Sequence, residues 1–352
     1  DGTGSNGGLA ANYQLPTLNT TNAPVTINAL AVTLTAPSVT KTYDGGTTYT
    51  TTATDRVAIA GTSLVSGETV TAATISFDNR HVGSSDKTVT LDAVTISSGN
   101  SNYDLTLQGN SISTIDQLAS ATWVGADGAD WSLASNWAVT GNLSATGALP
   151  DAGNVALAII PSDLSGTVLA TTAHGHEGKI EVAGGTLSVA ADGYLGATPG
   201  TAVADLLTLN GGTLLVSGGF TLNANRGIAL ETNGGSIAVA AGETLNYAGV
   251  LAGSGALSKA GEGTLVLSGA NTFSGGTTVT GGTLQAGSSS VENSGSLVSG
   301  ALGTGAVTVS SGAGLDLNGK TVGNALTLAG TGYDNAGILS GALFNSSADA
   351  AT

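Results

Sequence analysis

A short unit of two glycines, threonine and leucine keeps returning in this chain, and it restricts the folds open to it. Gly184-Gly185-Thr186-Leu187 recurs as Gly211-Gly212-Thr213-Leu214, Gly234-Gly235-Ser236-Ile237 and Gly281-Gly282-Thr283-Leu284, in steps of 27, 23 and 47 residues. Gly263-Thr264-Leu265 roughly halves the last step. Runs such as TLVLSG and TTVT alternate apolar and polar residues with period two, as half-buried strands do. Gly-Gly, Ser-Gly and Asn between the runs supply tight turns. Self-similarity at about 20 to 28 residues marks a stacked solenoid. Since the units contain only strands and turns, the expected stack is a parallel β-helix. Inward Leu, Val and Ile would then lie above their equivalents in the next rung. About eight rungs at roughly 4.8 Å spacing would make a stack about 40 Å long. Asn271, Asn318 and Asn324 fall at turns, where they could form ladders or take left-handed geometry.

Only 9 % of the 352 residues are charged, against roughly 25 % in ordinary globular domains. The length allows two or three domains. Hydrophobic residues make up 41 % but aromatics only 4 %, so the core is built from repeated small aliphatics. The net charge of −16 argues against nucleic acid, which needs clustered Lys and Arg, and against docking on anionic lipid. There is no cysteine, which fits either a reducing compartment or an exported chain kept free of cross-links. No apolar run is long enough to span a bilayer. Asp1-Gly2-Thr3-Gly4 is not a signal peptide; an exported protein would carry these residues as a mature or internal piece of something longer.

Towards the N-terminus, Asn12-Tyr13 and Asn102-Tyr103 lie 90 residues apart. Val25-Thr26-Ile27 and Ser113-Thr114-Ile115 follow, 88 apart. Residues 1–24 therefore read as the tail of one module and 25–117 as a complete copy, with several short strands suggesting an antiparallel sandwich-like unit. Asp44-Gly45 suits a turn. Tyr43 and Tyr103 read as core aromatics with hydrogen-bonded hydroxyls. In order, Lys41-Thr42-Tyr43-Asp44-Gly45, Phe77-Asp78-Asn79-Arg80-His81-Val82-Gly83 and Asn102-Tyr103-Asp104-Leu105 resemble the YDG domain of large bacterial surface proteins. That resemblance implies a stalk or spacer role.

All three tryptophans, Trp123, Trp131 and Trp137, fall in a junction at 118–165. A solenoid needs a non-repetitive cap over its first apolar rung, and clustered tryptophans would cover one. Alternatively, the same rings would form a sugar-stacking platform. From 166 to 352 the chain reads as solenoid. Between about 249 and 332, LSKAGEGTLVLSGANTFSGGTTVTGGTLQAG and the segments after it resemble the autotransporter-associated β-strand repeat. The resemblance implies a β-helical passenger of a large exported Gram-negative adhesin, filamentous-haemagglutinin-like or autotransporter-like. It would be secreted to the cell surface by an autotransporter or two-partner route.

Few residues look able to do chemistry. His174-Gly175-His176-Glu177 is the one metal-like cluster: in a strand both His would share a face and could hold a divalent ion, and otherwise they lie in an exposed loop. No dinucleotide fingerprint, P-loop or nucleophile elbow occurs, and no cofactor is implied. Polysaccharide-cleaving β-helices need clustered carboxylates, whereas Glu231, Glu243, Glu262, Glu292, Asp316 and Asp334 look scattered, and Arg226 is the single Arg of the solenoid. Three sequons, at Asn19, Asn142 and Asn345, are possible glycosylation sites. The expected function is thus mechanical and non-enzymatic: a fibre of a surface adhesin or biofilm matrix, giving reach, stiffness and multivalent attachment. Expected partners are extracellular polysaccharide, host or neighbouring cell surfaces, and further copies of the chain. A glycan-binding module on the tryptophan junction and a polysaccharide-degrading β-helix are the alternatives.

Overall fold

A computed structural model describes residues 28–335 and 338–351. The expected module tail at 1–24, with Asn12-Tyr13 and Asn19, lies outside the described residues. The chain divides into two units, and the division runs through the expected 25–117 module.

In the first unit (up to Pro37, Thr50–Ser76 and Val89–Asn110), strand Leu30–Thr35 pairs with Tyr103–Gln108. Val32 and Leu34 alternate inward along it. This pair is parallel, where the sequence suggested antiparallel strands throughout; its partners are more than 70 residues apart, so no local pattern reports their direction. The run YTTTAT at 49–54, which alternates like one of the module's short strands, is strand only at its start, in Thr48–Thr50, and leads into a helix, Ala53–Ala60. Thr52 starts it with a capping box. Its hydroxyl accepts from the Asp55 N–H at 3.2 Å, and the Asp55 carboxylate accepts from the Thr52 N–H at 2.7 Å. Two orphan donors are satisfied at once, enough to override a β-branched run. The Tyr103 ring is buried and its hydroxyl donates to Glu68, as expected of a core aromatic.

The second unit comprises Ser38–Tyr49, Phe77–Thr88 and Ser111 onward. Most of it is a parallel β-helix with three sheets. The first runs through Ala121–Trp123, Leu157–Ile160, Lys179–Val182, Val203–Leu209, Arg226–Leu230 and Leu251–Gly253. The second has nine strands, from Ala129–Asp130 to Leu326–Leu328, and the third has six, from Phe220–Leu222 to Leu343–Phe344. Leu245, Leu265, Leu284 and Leu315 stack in register in the third sheet, all but completely buried. In the second, Val168, Leu187, Leu214 and Ile237 do the same. Each such side chain contributes roughly 1.5–3 kcal/mol.

Two sequence expectations shift. The stack begins at the tryptophan segment, not near 166: Ala121–Trp123 pairs parallel with Leu157–Ile160, which pairs in register with Lys179–Val182. The glycine–threonine–leucine unit also serves two different faces. Thr186, Thr213 and Ser236 align in the second sheet, whereas Thr264 and Thr283 align in the third. The 47-residue step is therefore a change of face, because the turn chemistry is the same at both corners.

The asparagines hold rungs together singly. Asn271 is fully buried, accepts from the Leu251 N–H at 2.8 Å and donates to the Ala301 carbonyl at 2.8 Å. Asn324 donates to the Gly303 and Gly305 carbonyls. Asn318 takes the left-handed geometry, with φ of 46°. After Gly253 the first sheet gains no further described strand. The chain forms instead the antiparallel ribbons Val291–Asn293 with Ser296–Ser299 and Tyr333–Asn335 with Ile338–Ser340.

Candidate binding groove and the enclosed tryptophan–histidine cluster

Trp123, Trp131 and Trp137 are 2 %, 1 % and 0 % exposed. Antiparallel pairing sets Trp137 directly opposite Trp123, and the rings meet edge-on at 5.3 Å. Trp131 meets Trp137 edge-on at 4.5 Å. The Trp137 indole N–H donates to the Trp131 carbonyl at 2.8 Å. Edge-to-face contacts of this kind suit the aromatic quadrupole, and they leave no ring face for a sugar. The sugar-stacking expectation fails at these three residues because the cluster closes upon itself.

The histidines lie in a loop, not a strand, and although most of the loop is exposed, His174 is half-buried and His176 buried. His176 is 1 % exposed, and His174 stacks on Trp131 with ring centres 4.9 Å apart and planes 10° from parallel. Burial holds both imidazoles below the usual range, His176 at about 4. Arg226, also buried, is spent on structure: it binds Asp192 at 3.0 Å and the carbonyls of Leu195 and Gly196. Of the sequons, Asn142 is exposed on strand Asn142–Thr146. Asn345 is exposed as well, but its amide donates to the Asp349 carbonyl at 2.7 Å.

Three of the carboxylates that look scattered in sequence come together on the third sheet. Thr244, Thr264 and Thr283 sit one above another, and Gln285, Asp316 and Phe344 form the adjacent row. With Glu243 and Glu262 at the corner, they line a groove of about 360 Å³. Burial tends to raise the Asp316 carboxyl, but bonds from Ser346, Gln285 and Asn318 outweigh it and hold the carboxyl below the usual range. The groove thus offers fixed negative charge, threonine hydroxyls and the half-buried Phe344 ring, and among the described residues no lysine or arginine lines it. Such a lining accepts hydrogen bonds from hydroxyl-rich or cationic groups and repels anions. The sequence signal for it was the spacing of Thr244, Thr264 and Thr283, which is one rung per step. Glu231 and Glu292 stay exposed outside the groove.

Comparison with known proteins agrees with this architecture. Residues 27–112 match the YDG domain, and residues 257–286 match the passenger-associated-transport-repeat. Over 114 residues the chain is 36 % identical to the adhesin BmaC autotransporter of Brucella suis biovar 1 (strain 1330), covering 32 % of this chain and 3 % of that adhesin. No solved structure matches the chain. With a YDG domain and a passenger transport repeat carried on an all-β, β-helical architecture, the chain resembles a segment of an exported, cell-surface autotransporter adhesin passenger.

Proposed function

We propose that this chain is a non-enzymatic segment of a surface adhesin or biofilm-matrix fibre, supplying reach, stiffness and repeated attachment points. The observation that carries the reading is the unbroken in-register parallel pairing from Ala129 to Leu328 along the second sheet. A stack hydrogen-bonded along its whole length resists bending, and its regular lateral faces suit multivalent contact. Its partners are extracellular polysaccharide, a host or neighbouring cell, and further copies of the chain, reached by either an autotransporter or a two-partner route. In this reading residues 118–165 serve as the closed end of the stack. The groove bearing Glu243, Glu262 and Asp316 favours a second reading, a glycan contact on the third sheet in place of one on the tryptophans.

Mixing the purified chain with extracellular polysaccharide, then following sedimentation and polymer length, tests these readings. Co-sedimentation with intact polymer is the expected result for an adhesive segment. Shortened polymer would overturn the non-enzymatic reading. Co-sedimentation that survives Glu262→Gln and Asp316→Asn would dismiss the groove as the contact.

A further inference from the structure

The ring nitrogens of His174 and His176 have an unusual balance. Each Nε2 bonds to a backbone carbonyl, of Tyr194 at 3.0 Å and of Lys179 at 3.2 Å. A carbonyl only accepts, so both Nε2 atoms carry the proton and both Nδ1 atoms present a bare lone pair. Both Nδ1 atoms are buried, and among the described residues neither has a partner. Two orphaned acceptors in one cluster call for an unseen occupant. Imidazoles that ligate metals commonly donate their other N–H to a backbone carbonyl, which fixes tautomer and ring. Here both do, and Trp131 stacked on His174 holds that ring further.

We propose that His174 and His176 bind one soft monovalent d10 cation, copper(I), between their Nδ1 atoms. The ring centres lie 6.3 Å apart. Two metal–imidazole bonds of about 2 Å, extended by the radii of the two rings, span roughly that distance. Among the described residues no group of three His, Cys, Asp or Glu is placed to hold a metal. A two-coordinate site therefore disfavours zinc, which takes four ligands, and suits an ion content with two nitrogens in water-poor surroundings. Imidazole is a suitable ligand for copper.

The full chain, labelled with ¹⁵N at histidine, would be titrated with silver(I) in chloride-free buffer as a redox-inert copper(I) analogue. Expected is saturation at one equivalent, with the Nδ1 resonances of both histidines moving and the Nε2 resonances retaining their protons. Tryptophan fluorescence should be quenched in step. His174→Gln and His176→Gln should each abolish the tight phase while leaving the circular dichroism spectrum unchanged. The wild-type resonances decide the matter even where a variant fails to fold. Shifts at neither Nδ1, as for a buried water bridging the rings, would overturn the proposal. So would zinc(II) binding as tightly as silver(I).

Discussion

At the scale of single residues, the interior accommodates a buried ammonium where its donors are met. Lys259 occupies the aliphatic column of the second sheet, between Ile237 and Val279, and is 0 % exposed. Its ammonium donates to the carbonyls of Ala260, Gly261 and Gly281, each at 2.9 Å. Burial lowers it to about 8 from the 10.5 of a free lysine. Between these values the unfolded chain binds more protons than the folded one, so the lysine's contribution to stability rises with pH through that window. Urea unfolding at pH 8.0 and 9.5 should show this increment in the wild type and not in Lys259→Met. The comparison cancels the buried tyrosines, which titrate higher still. Trp137→Ala leaves a large void among Trp123 and Trp131, and a loss of about 3–5 kcal/mol is expected, read as a lowered urea midpoint. The tryptophan spacing was legible in the sequence, as was the hydrogen-bonded core role of Tyr43. A covering role for the rings was also legible; their closure on one another was not, because it depends on Trp123 and Trp137 meeting across an antiparallel pair.

Elements in this chain are set by turns and caps more than by propensity. Thr52→Ala removes the side-chain half of the capping box and should destabilise helix Ala53–Ala60 by about 1 kcal/mol, seen as faster hydrogen exchange over those residues. Gly282 has φ of +58°, and a Cβ there would stand 2.4 Å from the Gly263 carbonyl oxygen of the rung below. Gly282→Ala should therefore lower the unfolding midpoint more than a half-buried strand Thr→Ala such as Thr278→Ala, since backbone on both sides must move. Gly45 carries the same constraint against Gly147, at the turn where Asp44 accepts from the Gly46 N–H at 2.9 Å. These local devices are written in the sequence. The phase of the rungs is less so: identical glycine–threonine–leucine units turn the chain at two different corners.

For the whole solenoid, stability accumulates rung by rung, because each rung touches only its neighbours. The ribbon Val291–Asn293 with Ser296–Ser299 stands outside the aliphatic columns and is largely exposed. Limited proteolysis should cut there first, leaving the β signal in circular dichroism intact and the two fragments co-eluting; separation of the fragments would show that the ribbon holds the stack together. The sequence by itself determined the all-β class, the parallel stack and its period, since strand alternation and turn residues are short-range signals repeated at every rung. Only the tertiary structure decided which residues become neighbours across rungs. Glu243, Glu262 and Asp316 share one groove, and His174 and His176 bury their Nδ1 atoms, because inter-rung distances of about 4.8 Å join residues some 20 to 30 positions apart. No local pattern records which face each of them will share.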